Sequence, residues 1–375
     1  MSYLENQDTA PLLSEYEIQK TANSIVSMQT KEGAIAKTLH GSIDVWNHLE
    51  AAMALTVAGY TNESEKALLW VRSAQNADGW WYCAYDSDGV ASDKSADTNQ
   101  CSYVASAVLH NFMLTKNQNL LFLMWPVVVK ALNFVTGLQD TGGCIPWTLE
   151  FGASTPPASS PKSLFAASCS VYHSLKSAIR IADVLLAMPD NIPVPVLSVT
   201  GKYYDRLYIS KQKLTYVISA TALRESLIGY MVSARHSACY IDKNLYAMDH
   251  YYSILASIIT EESLARLQSA RSNFIADDWG VRCLSDKDWF TSAETAEWAI
   301  AEACLGNSRL ANELFATTFR HRLHDGSYLT GDVFPGGNSF PPGETSSYSA
   351  AAVILANDVI SGGMTRLLFS DYEGK

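Results

Sequence analysis

Apolar residues recur along this chain at the three- and four-residue spacing of amphipathic helices, and alternating strand patterns are confined to short pieces beside turns. The spacing predicts twelve helices that pair, in chain order, into six hairpins. The predicted pairs are 13–29 with 44–59, 62–75 with 97–115, 126–138 with 166–187, 213–234 with 247–259, 261–274 with 290–305, and 308–321 with 345–360.

The second helix of each predicted pair differs in composition from the first. It is rich in alanine and apolar on more than one face, as in 51–54, 293–299 and 350–352, whereas the first helix carries more charge. An inner ring crowded by its neighbours needs small side chains, while an outer ring meets water on one face. The pattern therefore predicts an all-α fold, an (α/α)6 toroid with inner and outer rings, as a single domain over 1–375.

A sequence phrase recurs at the end of the first helix in three of these pairs. Its clearest copy, KALLWVRSAQNADG at 66–79, is matched at 130–143 and more weakly at 20–33, with Lys, Gln and Gly in register. The Gly can end a helix in the left-handed conformation, and the Gln can bond to free carbonyls or to the neighbouring repeat. Self-similarity at such a period is typical of a repeat architecture.

The phrase resembles the QW motif of the class II terpene cyclases (squalene-hopene and oxidosqualene cyclases) and of their protein-prenyltransferase relatives. The text that follows it, GWWYCAYDSD at 79–88 and Ser95-Ala96-Asp97-Thr98, also looks like the cyclases. The resemblance covers the architecture of most of the chain but only this stretch closely, and it implies an α/α toroid. Where the cyclases carry DxDD, this chain reads Lys94-Ser95-Ala96-Asp97, so only the last Asp is in place.

Composition limits the classes of partner. The 375 residues are 48% apolar and only 17% charged, so the chain can bury a large core. A formal net charge of −11 without a basic stripe argues against nucleic-acid binding. The long connection 140–163 is predicted to be a lid loop, and the tail 362–375 is predicted to fray.

The sequence predicts a cytoplasmic location. The seven cysteines form no CxxC pair and are odd in number, which favours reduced core thiols. The N-terminus lacks a basic region followed by an apolar run, so no signal peptide is expected. The apolar stretch 120–129 suits either a peripheral membrane contact or, as the favoured alternative, a buried segment ahead of a helix that starts at Pro126. The oligomeric state is left open.

The inner helices of a toroid begin around a central cavity, where free N–H groups and helix dipoles favour negative groups. Polar residues at the predicted helix starts are therefore the candidate site. The candidate catalytic residues are Asp44, Asp97, Asp249, Glu294 and Glu297. The candidate substrate-binding residues are Trp46, His48, Glu50, Asn99, Tyr103, Tyr172, His173, His250, Tyr251, Tyr252, Glu344 and Tyr348.

Some of these residues also suit a purely structural role. Asp44 and Asp97 stand where helix N-caps are expected. Glutamates on buried helices are costly unless they are paired or face water, which favours a polar cavity. The three candidate histidines lack the short-range spacing of a known ligand motif, so no metal is predicted, and no cofactor is predicted either.

Three functions fit these observations. The resemblance implies a terpene-cyclase-like or prenyltransferase-like enzyme that acts on an isoprenoid, with aromatic rings that stabilise a carbocation and Asp97 as the acid. The residues themselves leave open a carbohydrate-active toroid (hydrolase, lyase or epimerase), in which Asp44 or Asp97 works with Glu294 or Glu297 as acid and base. The third function is non-catalytic binding of a ligand or partner.

Overall fold

The computed structural model describes residues 12–150, 162–188, 205–232 and 239–370, together with the backbone of Ala158–Ser159. In chain order its helices are α1 (Glu15–Val26), α2 (Val45–Val57), α3 (Thr61–Ala74), α4 (Thr98–Ser102), α5 (Val104–Thr115), α6 (Gln118–Thr136), α7 (Phe165–Ala187), α8 (Arg206–Val232), α9 (Met248–Leu255), α10 (Glu261–Phe274), α11 (Ser292–Cys304), α12 (Ser308–Thr317), α13 (Ser347–Ile360) and α14 (Arg366–Phe369). A 3-10 turn at Thr318–His321 follows α12.

The helices form two concentric rings, which confirms the predicted (α/α)6 toroid. The inner ring is closed, because α2 packs on α5, α5 on α7, α7 on α9, α9 on α11, α11 on α13, and α13 again on α2. The outer helices α1, α3, α6, α8, α10 and α12 each pack against inner helices. The alanines of α2 and α13 are buried, since small side chains let inner helices approach on several sides.

The recurring phrase joins neighbouring hairpins. Gln75 Nε2 donates to Gly79 O (3.0 Å) in its own turn and to Val127 O (2.9 Å) on α6, the next outer helix. Gly79 has a left-handed backbone (φ +100°), and a Cβ there would lie 2.3 Å from Lys130 O. Only glycine fits so close an approach.

The same contact recurs around the ring. Gln29 Nε2 donates to Gly33 O (3.1 Å) and Glu63 O (2.9 Å), and Gln139 Nε2 donates to Gly143 O and Ser219 O (both 3.0 Å). At the last hairpin, a Cβ on Gly326 would lie 2.6 Å from the carbonyl carbon of Lys20. This turn therefore packs directly against α1, the first outer helix. The predicted bond from Gln to the neighbouring repeat is confirmed.

In the described part of the chain, short strands occupy five of the six connections from an outer helix to the following inner helix, all but the one between α1 and α2. Their pairings are β1 (Ala84–Tyr85) with β2 (Ala91–Asp93), β3 (Ala96–Asp97) with β4 (Thr148–Glu150) and β4 with β5 (Ala158–Ser159), β6 (Ser163–Leu164) parallel to β7 (Tyr240–Ile241), β8 (Ile275–Ala276) with β9 (Gly280–Val281), and β10 (Trp289–Thr291) with β11 (Gly331–Val333) and β11 with β12 (Asn338–Ser339). All of them therefore lie at the end of the toroid where the inner helices begin, which we call the mouth.

The stretch 120–129 belongs to the core. Helix α6 begins at Gln118 and contains Pro126, so the predicted helix start at Pro126 is wrong. By length and composition α6 could cross a membrane, but 61% of its most apolar window is buried, and Met124, Trp125 and Val128 are fully buried. The buried alternative is confirmed, and the side chains needed for a peripheral membrane contact are packed inside the protein.

The predicted frayed tail is wrong for residues 362–370. This segment closes the end of the toroid opposite the mouth, where His110 Nε2 lies 2.9 Å from Thr365 Oγ1 and Arg180 Nη1 donates to Leu367 O (2.8 Å). Ser257 Oγ donates to Phe369 O (3.0 Å), and the Phe369 side chain is 7% exposed. Residues 371–375 lie outside the described residues.

Two further predictions concern the lid and the cysteines. The described parts of 140–163 pair as β4 and β5 beside the mouth, and 151–157 and 160–161 lie outside the described residues, so the lid stays a prediction. Cys144 and Cys239 form a disulfide, so the prediction of reduced thiols is wrong for this pair. The argument for a cytoplasmic location loses that support.

Replacing Phe369 with Ala should lower the free energy of unfolding by about 3 kcal/mol, because it removes a buried aromatic ring from the closed end of the toroid. Urea denaturation measures the change. Met364→Ala in the same segment is the control, since Met364 is 40% exposed and its loss should cost under about 0.5 kcal/mol. Equal midpoints for wild type and Phe369→Ala would show that the tail is not packed as described.

Candidate active site

Two aspartates cap inner helices at the mouth. Asp44 is the N-cap of α2, and its Oδ1 accepts from Asn47 N (2.9 Å). Asp97 is the N-cap of α4, and its Oδ1 accepts from Asn99 N (2.8 Å). Both residues are 8% exposed, and the charge of Asp44 acts on Asp97, so the two caps lie near each other at the mouth. We call the space between these caps, Trp46, Glu50 and Glu297 the chamber. An aspartate that caps a helix can also take part in a reaction, so the two roles considered for Asp44 and Asp97, N-cap and catalytic residue, are compatible.

Asp97 also accepts a hydrogen bond from the connection 140–163, the predicted lid. Trp147 Nε1, in the turn before β4, donates to Asp97 Oδ2 (2.6 Å). Burial raises the pKa of Asp97 to about 6, against the opposing effect of these hydrogen bonds, and the charge of Asp44 adds a smaller increase. Trp147 was missed by the sequence analysis because it lies in a loop, where neither helical spacing nor a cap marks it.

Glu50 lies one and a half turns below the mouth on α2. Its Oε1 accepts from Trp46 Nε1 (2.8 Å) and Tyr103 OH (3.3 Å), and the residue is 7% exposed. Burial raises the pKa of Glu50 to about 7, and the charges of Asp44 and Glu294 add to that rise. The structure therefore brings the carboxylates of α2 and α11 close enough to influence one another.

Glu297 faces Glu50 from α11. It accepts hydrogen bonds from the hydroxyl of Tyr251 and, at 3.4 Å, from the hydroxyl of Tyr252. Burial raises the pKa of Glu297 well above its usual value, and the charge of Glu50 is the next cause. Two close carboxyls in a buried chamber do not both ionise easily, so this pair retains a proton near neutral pH.

The remaining mouth residues lie on α11, the β11–α13 connection and α13. The Thr291 hydroxyl donates to Glu294, which is partly exposed in the first turn of α11. Thr330 Oγ1 donates to Glu344 Oε1 (2.9 Å). Burial, followed by the charge of Glu294, raises the pKa of the half-buried Tyr348. These residues line one side of the chamber.

Lys37 brings a cation to the mouth. Its Nζ lies 3.9 Å from Asp44 Oδ2 and 5.9 Å from the centre of the Tyr348 ring. It lies in the loop between α1 and α2, so the sequence offered no signal for it. The ammonium of Lys37 and the N-terminus of α2 are therefore two positive groups beside the Asp44 carboxyl.

Trp46 is the central aromatic residue of the chamber. Its ring centre lies 5.9 Å from that of Tyr103 and 5.9 Å from that of Tyr252. The side chain is partly exposed, while its indole N–H is held by Glu50. A partly exposed ring in a fixed orientation offers a flat apolar surface to a ligand.

Three predicted site residues do not face the chamber. Asp249 is 2% exposed and pairs with Arg266 of α10 (3.7 Å), and burial raises its pKa to about 6. His48 is fully buried, with Nδ1 accepting from Ile35 N (2.9 Å) and Nε2 3.0 Å from Ala67 O. His250 packs on Phe274 of α10 and places Nε2 2.9 Å from Asn244 O. Their assignment to the site is wrong, because they are directed at the outer ring.

His173 lies deeper, in a small recess below Glu50 and Glu297 that ends at Phe369. The two rings stack with centres 5.5 Å apart, and burial lowers the pKa of His173 to about 3. Asn99 is 1% exposed and, like His173, its side chain has no hydrogen-bond partner among the described residues. Tyr172 packs against the core as a partly buried side chain.

One group of potential metal ligands occurs in the described part of the chain, away from the chamber. Ligand atoms of Asp140, Cys144 and Cys239 lie within 4.8 Å of one another, but the two sulfurs are bonded to each other. A thiolate ligand must be free and deprotonated, so this group does not fit a metal.

Comparison with known proteins identifies relatives. No family model matches the chain. It is 31% identical over 351 residues to the MMP endo-(1,4)-3-O-methyl-alpha-D-mannosidase of Mycolicibacterium hassiacum, which covers 93% of this chain and 88% of that protein.

Solved structures share the fold. A glycosidase variant in complex with glucose superposes with a TM-score of 0.66 at 10% identity, over 92% of this chain and 96% of the other. A D-mannose isomerase gives 0.67 at 11% identity, over 93% and 97%. A bacterial glucoamylase complexed with acarbose also gives 0.67 at 11% identity, over 93% of this chain and 56% of that one.

These relatives overturn the expected function. The mannosidase spans nearly the whole chain, so the terpene-cyclase-like and prenyltransferase-like interpretation and its isoprenoid substrate are wrong. The QW-like phrase is a marker of the toroid fold and not of an activity, because its Gln and Gly make the contact between neighbouring hairpins. The carbohydrate-active alternative is the one the relatives favour.

The raised pKa of Glu50 makes stability depend on pH. The folded chain holds a proton up to about pH 7, which the unfolded chain releases at its ordinary value of 4.5, so the free energy of unfolding falls as pH rises through this window. Glu50→Gln removes that loss while keeping an acceptor for Trp46. We expect the variant to gain stability relative to wild type between pH 4.5 and pH 8 in urea denaturation. A constant difference would contradict the buried carboxyl pair.

Proposed function

This chain belongs to the family of the MMP endo-(1,4)-3-O-methyl-alpha-D-mannosidase, and we propose that it is a glycoside hydrolase that cuts α-(1,4) bonds within a chain of O-methylated mannose residues. The observation that carries the proposal is the chamber itself. Carboxylates from α2 and α11 meet there beside aromatic rings, which is the equipment that acid–base cleavage of a glycosidic bond requires.

Asp44 and Glu294 are the proposed reacting pair. Asp44 caps α2 and Glu294 lies in the first turn of α11, so both are at the mouth, and the charges of both act on Glu50 of α2. Glu50 and Glu297 lie deeper, where Trp46 and Tyr251 donate hydrogen bonds to them and burial raises the pKa of both. Because Asp44 and Glu294 lie nearer the mouth, we assign the cleaved bond to them and not to Glu50 and Glu297.

The surroundings suggest the division of roles. Asp44 is held by Asn47 and lies beside Lys37 at the start of α2, a position that suits the base that activates water. Glu294 on α11 is held by the Thr291 hydroxyl and is the proposed donor of the proton to the leaving oxygen. The attacking water loses one proton to Asp44 as its oxygen bonds to the anomeric carbon, and the glycosidic oxygen leaves with the proton of Glu294.

The other chamber residues position the sugar. Trp46 presents its face to a sugar ring, and Glu50 fixes that face through the indole N–H. Asp97 connects the start of α4 to Trp147, in the turn before β4, and thereby fixes the position of that turn at the mouth. Tyr103 and Tyr252 flank Trp46 and offer hydroxyl groups at the base of the chamber.

Glu294→Gln and Asp44→Asn should each lower kcat by about 10³-fold, because each removes one proton-transfer group. The reaction is followed by the reducing ends released from an α-(1,4)-linked oligosaccharide of 3-O-methylmannose. Asp97→Asn should lose under about tenfold, since Asn still caps α4. Asp88→Asn, in the exposed β1–β2 turn, is the matched control and should keep full activity.

Two results would count against this assignment. Full activity in Glu294→Gln would remove that residue from the chemistry. A loss in Asp97→Asn as large as in Asp44→Asn would move the reacting pair to the lid side of the mouth. Unchanged oligosaccharide binding without hydrolysis in the wild type would favour a non-catalytic toroid.

A further inference from the structure

The strand β10 leads from the outside of the mouth directly to Glu294. Side chains alternate along a strand, so Trp289 and Thr291 lie on one face and Phe290 on the other. The Thr291 hydroxyl donates to the Glu294 carboxylate, and Phe290 is fully buried. Trp289 therefore lies on the same side of the strand as the proposed catalytic acid, about 6–7 Å further out.

Trp289 is held in one orientation. Its Nε1 donates to Phe340 O (3.0 Å), and its ring meets that of Phe340 edge to face, with centres 5.6 Å apart and planes at 85°. Gly331 on β11 lies against the same indole, because a Cβ at Gly331 would come within 2.8 Å of Trp289 Nε1. A locked aromatic ring loses little side-chain entropy when a ligand covers it.

The surface around this ring is apolar and open. Val333 pairs directly with Trp289 across β10 and β11, so the two side chains share a face. Val333 is 36% exposed, Phe340 is 50% exposed and Trp289 is partly exposed. We call these three residues the Trp289 shelf. An exposed apolar cluster at the edge of a chamber marks a binding surface.

We propose that the Trp289 shelf binds a mannose residue of the substrate chain next to those held at the cleaved bond. This inference rests on the proposed function. A chain that spans the mouth with its bond at Glu294 leaves along β10, and the shelf is the apolar surface on that path. The C–H face of a sugar packs on an aromatic ring, and a methyl ether adds apolar surface that Val333 and Phe340 contact.

The shelf explains a preference for a polymer. Under this proposal a single sugar binds at Trp46, whereas a longer chain covers both Trp46 and Trp289. Binding energy from the shelf then contributes only when the bond lies inside a chain, which is the condition for internal cleavage.

The test is calorimetric binding in the Glu294→Gln background, which removes hydrolysis from the measurement. The probes are an α-(1,4)-linked oligosaccharide of 3-O-methylmannose and the monosaccharide methyl 3-O-methyl-α-D-mannoside. Trp289→Ala should raise the Kd for the oligosaccharide about tenfold and leave the Kd for the monosaccharide within about twofold. Trp289→Phe, which keeps a ring, should restore oligosaccharide binding to within about threefold.

Phe334→Ala is the matched control. Phe334 is 45% exposed on the same hairpin but packs on Trp279, so its loss should change neither Kd. Circular dichroism checks that each variant is folded. If Trp289→Ala is not folded, Phe340→Ala, which removes the other ring of the shelf, carries the test with the same expected difference between the two probes. Equal weakening of both probes, no weakening of either, or an oligosaccharide that does not bind at all overturns the shelf.

The outcome is separable from that of the proposed function. If oligosaccharide binding depends on Trp289 but the wild type releases no reducing ends, the shelf is supported and the proposed hydrolase activity is contradicted. Hydrolysis by the wild type with no effect of Trp289 would do the reverse.

Discussion

The contact between one hairpin's terminal turn and the next outer helix determines the rest of this structure. A glutamine side chain bonds at once to its own turn and to the neighbouring helix, and a glycine lets the two backbones touch. Repeated at Gly33, Gly79 and Gly143, and closed by Gly326 against Lys20, the contact sets the spacing of the outer ring. The inner helices must then begin around one centre, where capping carboxylates converge.

The same contact explains why the fold was predictable while the function was misread. Helical spacing, alanine-rich second helices and the repeated phrase are local features, and they specify paired helices in a ring. The Gln and Gly of the phrase serve the ring and not the reaction, so a resemblance based on them carries architecture from one chemistry to another. Asp44 and Asp97 were found because a helix N-cap has a local sequence signal.

Some residues were assigned to the chamber only because they lie near the start of an inner helix. The assignment was wrong where the rotation of the helix turns the side chain away from the chamber. On α2, Trp46 and Glu50 are four residues apart and face the chamber together, whereas His48, halfway between them, faces α3. On α9, Tyr251 and Tyr252 reach Glu297, while Asp249 and His250 meet α10. Contacts such as Trp147 with Asp97 had no local signal, since they join loops to helices distant in the chain.

Residues 361–370 give the toroid a sealed base. Arg180 and Ser257 hold the backbone of this segment from two sides, and Phe369 stands across the central axis below His173. A polymer cannot thread through such a ring from one side to the other. Under the proposed function the substrate chain therefore lies across the mouth, and both products of cleavage leave through that same opening.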